Sequence, residues 1–177
     1  AIRLAVSMFY FGQGLGFASW ASRIPTIKAD LGLSEAQLGT ILLMLPIGQL
    51  LTMPLWGTLV NQYGSGRILP QAAMLYALVL VLIAFSSNAW MLGAALFLFG
   101  IFGNLSNISV NTQGVLAEDI YGRSIMSSFH GAWSLAGFTG ALLGLLALNL
   151  HLTTATHLLI IVALLAINII ISKKNLV

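Results

Sequence analysis

A chain of 177 residues that is 59% hydrophobic and only 6% charged, against about 25% charged in ordinary soluble domains, has too few polar side chains to cover a water-facing surface. A soluble globular domain is excluded, and so is a nucleic-acid surface: the net charge of +3 comes from basic residues scattered over loops, which is a topology signal rather than a binding patch. With no cysteine there is neither a disulfide nor a thiolate metal site, and no linker or polar block leaves room for a second domain.

The pattern predicts an all-α integral membrane protein with six spans of roughly 20 apolar residues each, over about 2–21, 35–60, 68–85, 89–114, 124–148 and 155–171. In the first span Tyr10, Gln13, Phe17 and Trp20 recur at helical spacing, setting one amide mid-membrane among aromatic rings. Gln13 is assigned to a cavity and Trp20 to the interfacial belt. An excised signal peptide does not fit, because the apolar part is too long and contains Gln13. Gly12-x-Gly14-x-Gly16 follows no strand, so it reads as a site of close helix contact rather than a dinucleotide loop. Ser34-Glu-Ala-Gln37 has the form of a capping box opening the second span, and Pro46 and Pro54 predict bends within it. A tight polar turn over 61–67 leads to the third span, and Asn88 is a cap for the fourth.

The fourth span is the most conflicted part of the chain, since its second half fills with amides and hydroxyls. Asn104, Asn107 and Asn111 fall within about 60° of one another on a helix at 100° per residue, and Ser106, Ser109 and Gln113 cluster opposite. Unpaired amides in hydrocarbon are costly, so a helix polar on two sides needs protein or a water-filled cavity on both. It belongs at the centre of a bundle. The fifth span carries a smooth ridge of Gly137, Gly140 and Gly144, a packing surface, together with His130 and Trp133. His130 lies seven residues past Arg123, about 10 Å into the helix at 1.5 Å per residue. Ionisable residues at that depth are functional candidates by default. The sixth span is nearly uniform in Leu, Ile, Val and Ala, which suits a lipid-facing helix.

Placing the N-terminus inside puts Arg3, Arg67, Arg123, Lys173 and Lys174 on the inner side and only Arg23 and Lys28 outside, so both termini are expected in the cytoplasm. An intramembrane hydrolase built from Ser106 or Ser109 with His130 lacks a third group and an oxyanion loop. Metal-ligand spacing and paired intramembrane carboxylates are absent, and all four acids lie in loops or at span ends. The expectation is a non-enzyme without metal or cofactor.

Six spans with both ends inside, polar first, fourth and fifth spans, and the segment Gly57-Thr-Leu-Val-Asn-Gln-Tyr-Gly-Ser-Gly-Arg67 resemble the N-terminal half of a major facilitator superfamily transporter. That family's second loop reads Gly-x-Leu-x-Asp-Arg-x-Gly-x-x-Arg/Lys; Gly57, Leu59, Gly64 and Arg67 match, while Asn61 and Gln62 depart from the Asp-Arg pair that helps to latch the cytoplasmic gate. Ala18-Ser-Trp-Ala-Ser-Arg-Ile-Pro25, Asn111-Thr-Gln-Gly114 and Arg123 to Ser134 resemble bacterial fucose-permease-like members, although the membrane carboxylates that those would use for proton symport are missing here. The resemblance implies two inverted three-helix repeats, with the first and fourth helices lining the pore, the second and fifth meeting another half, and the third and sixth facing lipid.

The reading that follows is secondary transport of a small polar, neutral, sugar-like solute across a bacterial inner membrane by alternating access. Tyr10, Gln13, Phe17, Asn104, Asn107, Asn111, His130 and Trp133 are the solute-binding candidates, and Gly57, Asn61, Gly64 and Arg67 the cytoplasmic gate. A membrane scaffold or sensor is the alternative. Beginning at Ala1 and stopping at Val177 just past a helix, the chain reads as a piece of something longer, whose partners are lipid, the solute, and a C-terminal six-helix half or a second copy.

Overall fold

The computed structural model describes all 177 residues and contains helices without strands. In chain order these are α1 (Ile2–Ser22), α2 (Ile24–Asp30), α3 (Glu35–Leu42), α4 (Met44–Tyr63), α5 (Ser65–Ala84), α6 (Ala89–Tyr121), α7 (Met126–Asn149) and α8 (Thr154–Ser172), closed by a 3-10 turn at Lys173–Asn175. Five units are long and apolar enough to cross a membrane: α3 with α4, α5, α6, α7, and α8 with its closing turn. α1 has the length, at 21 residues, but Gln13 and its glycines dilute its apolarity. It is sheltered instead, buried against α7, α8 and α6.

Local sequence explains where the helices start and stop. The Ser34 hydroxyl accepts from the Gln37 backbone N–H while the Gln37 side chain accepts from the Ser34 N–H, a complete capping box for α3. The predicted second span is interrupted at Leu43: Pro46 has no N–H to give, and its ring crowds the carbonyl four residues back, at Leu42. Pro54 lies inside α4. Gly64, at φ +85°, makes the abrupt turn between α4 and α5 that an L-residue would resist. Asn88 caps α6 by accepting from the Met91 N–H, and left-handed Gly122 ends it.

α1 packs chiefly on α7, and α4 chiefly on α6; α6 also lies along α5, and α8 along α1 and α5. Small residues let backbones meet at the first two crossings. A Cβ on Gly100 would strike the Leu45 carbonyl and one on Gly48 the Phe97 carbonyl, while a Cβ on Gly14 would come within 2.6 Å of the Trp133 carbonyl oxygen. The apolar core is concentrated between α5, α6 and α8, where Leu80, Leu92, Leu96 and Leu158 are fully enclosed. On the outside, Leu50, Leu51, Leu145, Leu146, Ile170 and Ile171 are each more than half exposed. That much naked hydrocarbon is tolerable only against lipid or further protein.

Candidate functional site

Five helices, α1, α4, α5, α6 and α7, leave a cleft between them. Its volume is about 550 Å³, and its walls carry Tyr10, Gln13 and Phe17 from α1, Leu45, Gln49, Leu50 and Met53 from α4, Asn104 and Asn107 from α6, and His130 and Trp133 from α7. Tyr76, Phe99 and Gly103 complete the floor. None of the lining side chains is an acid, a lysine or an arginine.

The predicted residues play unequal parts there. Asn107 is exposed in the cleft, its Oδ1 accepting from Asn111 Nδ2 at 3.0 Å, so the Asn107 amide N–H groups remain free to meet a solute. Asn111 stands behind the wall: its Oδ1 accepts from the Tyr10 hydroxyl at 2.5 Å, and it is not part of the lining. Asn104 is buried, and its Nδ2 donates to the Gln49 carbonyl at 3.0 Å, tying α6 to α4. Gln13 Nε2 donates to the Gly103 carbonyl at 3.1 Å and ties α1 to α6. The Tyr10 ring stacks on Phe129 at 5.6 Å and meets the His130 ring edge-on at 5.3 Å, an arrangement that aromatic quadrupoles favour. Phe17 and Trp133, both part-exposed, add bare ring faces.

Gln49, Tyr76 and Phe99 also line the cleft, beyond the residues that the sequence pattern marks. Gln49 carries the same signal that marked Gln13, an amide in the middle of an apolar helix. Tyr76 comes from the third span, whose pattern suits lipid, and its hydroxyl crosses to donate to the Gln13 carbonyl at 3.1 Å. The second polar face of α6 is turned away from the cleft. Ser109 donates to its own helix at Leu105, and Gln113 donates to Ser65 Oγ and to the Val177 carbonyl while accepting from the Val177 N–H. Ser106 and Ser109 are both buried, and neither is brought to His130, which faces the cleft.

At the far end of the bundle from Arg67, Arg23 is almost fully enclosed. Its Nε donates to His157 Nδ1 at 2.8 Å and its Nη2 to the Leu152 carbonyl at 3.0 Å. Burial lowers the Arg23 pKa from its ordinary value and the charge of Asp30 raises it; the guanidinium stays a cation at neutral pH. The one ion pair in the structure, Lys28 with Glu35, lies in the α2–α3 region.

The profile of the Major Facilitator Superfamily matches residues 4–173. The chain belongs to that superfamily. An uncharacterised MFS-type transporter of Yersinia pestis is 36% identical over 171 residues, which cover 94% of this chain and 44% of that protein. A membrane protein of Rhizobium meliloti, MosC, is 34% identical over 142 residues, covering 80% of this chain and 34% of the relative. Among solved structures, the nucleoside transporter NupG superimposes with a TM-score of 0.78 over 98% of this chain and 44% of its own, at 16% identity, a likeness of fold. The chain thus spans less than half the length of these superfamily relatives. As a superfamily member it is a multi-pass membrane protein. Its second-loop motif sits at the α4–α5 turn, with Gly64 at the turn itself and Asn61 and Arg67 exposed beside it, the Arg67 guanidinium outside any ion pair.

Proposed function

We propose that this chain is the N-terminal six-helix half of a secondary transporter that moves a neutral, polyhydroxylated solute by alternating access, with α1, the α3–α4 pair, α5, α6, α7 and α8 as its six spans. The observation that carries the reading is the cleft: about 550 Å³, walled by amides and aromatic rings and free of fixed charge. Amides donate and accept at once and so suit hydroxyl groups, whereas a charged solute would call for a counter-charge in so poor a dielectric. Ring faces add apolar area against a carbon skeleton.

The pairing of helices supports the repeat reading. Exchanging α1 with α6, α3–α4 with α7, and α5 with α8 turns the α1–α7 contact into the α6–α4 contact and the α5–α6 contact into the α8–α1 contact. The faces of α4 and α7 that the superfamily turns towards its other half carry Gly57, Gly131 and Gly137, each with open space beside it. By the five-to-two asymmetry of basic residues, both chain ends and the Arg67 turn are cytoplasmic, in a bacterial inner membrane.

The test is binding of a panel of monosaccharides, nucleosides, organic acids and amines to the full-length transporter in detergent or nanodiscs. The expected result is selective binding of a neutral polyol or nucleoside. Selective binding of an acid or an amine would move the site to charges elsewhere and sink the reading. Absence of any bound or transported compound in liposomes would favour a scaffold or sensor.

A further inference from the structure

Beside the cleft lies a second, much smaller cavity, between α1, α5, α6 and α8, with polar side chains from each: Gln13, Tyr76, Ser106 and Asn168. The centre of a water-sized sphere has about 10 Å³ in which to move there, which is about the room that one water needs.

The hydrogen bonding around this cavity is incomplete in a particular way. Because Gln13 Nε2 donates to the Gly103 carbonyl, the amide cannot be reversed without setting oxygen against oxygen. Its Oε1 must therefore be the other end, and that atom is buried with no partner. A buried acceptor left without a donor carries its full desolvation penalty, and native structures seldom leave one so. Ser106 is buried too, yet its hydroxyl makes no bond to protein. Ser19 and Ser109, the comparable buried helical serines, donate to the carbonyl four residues back at 2.7 and 2.8 Å. Asn168 gives its Nδ2 to the Met8 carbonyl, and its Oδ1 receives only a long contact from Ser172 at 3.3 Å. One acceptor without a donor, one with only a long contact and a hydroxyl short of an acceptor belong to residues that line one space of the right size.

We infer that this cavity holds a single ordered water, which accepts from the Ser106 hydroxyl and donates to Gln13 Oε1 and Asn168 Oδ1. A monovalent cation is the rival occupant, and the lining argues against it. No carboxylate is present to offset its charge, and an unpaired ion in so enclosed a place is disfavoured far more than a dipole. The water joins α1, α6 and α8 through one molecule. It also acts as a positioning group for Gln13, holding the carboxamide in the rotamer that bridges to Gly103.

The experiment is a high-resolution structure of the full-length protein together with thermal unfolding of Ser106→Ala and Ser106→Val. The expected result is a density peak 2.6–3.2 Å, the ordinary hydrogen-bond range, from Gln13 Oε1 and Ser106 Oγ. Both variants should melt lower than the parent, with Ser106→Val the worse because its methyl groups displace the water and orphan Gln13. An empty cavity, or a Ser106→Val variant that melts higher than the parent, would mean that the space is dry and overturn the inference. Melting that rises with sodium but not with choline in the parent, and loses that response in Ser106→Ala, would overturn it in favour of a cation.

Discussion

At the scale of single residues, the side chains that make the cleft polar are of two kinds, and substitution separates them. Asn107 presents free donors to the cleft, so Asn107→Ala in the full-length transporter should weaken solute binding by about 1–3 kcal/mol, roughly five- to 150-fold, with little change in melting temperature. Asn104 and Gln13 use an N–H to bridge helices, so Asn104→Ala should lower stability as well as affinity. Calorimetry with unfolding on the same samples reads both, and equal losses of stability in the two variants would contradict the division. Arg23 offers a second test. His157→Ala removes the acceptor of a nearly enclosed guanidinium and should cost about 1–3 kcal/mol of stability, seen as a lower melting temperature; an unchanged value would mean that water replaces the imidazole.

Much of this was legible in the sequence, for a physical reason. An amide or imidazole inside a span has so few tolerable environments that its identity nearly dictates its surroundings, which is why Gln13, Asn107 and His130 could be singled out. What could not be read was which of them face the cleft. Asn111 shares a helical face with Asn107, yet the Tyr10 hydroxyl claims it, and no periodicity reports a cross-helix partner. Tyr76 was hidden for the opposite reason, since a lone tyrosine in an apolar helix looks like core until the neighbouring backbone is in place.

At the scale of the elements, backbone contact at glycine decides the geometry of the bundle. Gly100 and Gly48 each face a backbone carbonyl across the α4–α6 crossing, and backbone cannot rotate out of the way as a side chain does. Gly100→Ala should therefore force the helices apart at a cost of about 1–3 kcal/mol, measurable as a lower melting temperature. Gly39→Ala, a helical position with nothing near it, should be neutral or stabilising by about 0.5–1 kcal/mol. Equal effects at the two sites would show that the crossing adapts freely. The helix boundaries show the same contrast in legibility. The Ser34 and Asn88 caps and the Gly64 turn are local chemistry and were readable, whereas the interruption at Leu43 needs the steric consequence of Pro46 to be followed one turn back.

At the scale of the whole molecule, the exposed apolar faces of α4 and α7 and the open space at Gly57 and Gly137 form a surface that this chain alone leaves bare. In the full-length protein, Gly137→Leu should impair assembly or transport, while leaving the unfolding of the isolated 177-residue chain unchanged. Loss of stability in both would place the contact within these 177 residues. Topology is open to direct measurement because the chain has no cysteine. Asn61→Cys and Ser87→Cys, both at exposed positions, should respectively resist and accept an impermeant thiol reagent in intact cells, and the reverse pattern would invert the orientation.

The end of α6 bears on how such a molecule could move. At 33 residues that helix is about 50 Å long, well beyond a hydrocarbon core of about 30 Å, and Glu118 near its tip accepts from the Ser124 hydroxyl and from the Ile125 and Met126 N–H groups at the start of α7. The two helices make little other contact with each other, and each forms a wall of the cleft. Tied together at one end like the arms of tweezers, they are held against sliding there, and widening between them meets least resistance towards their opposite ends.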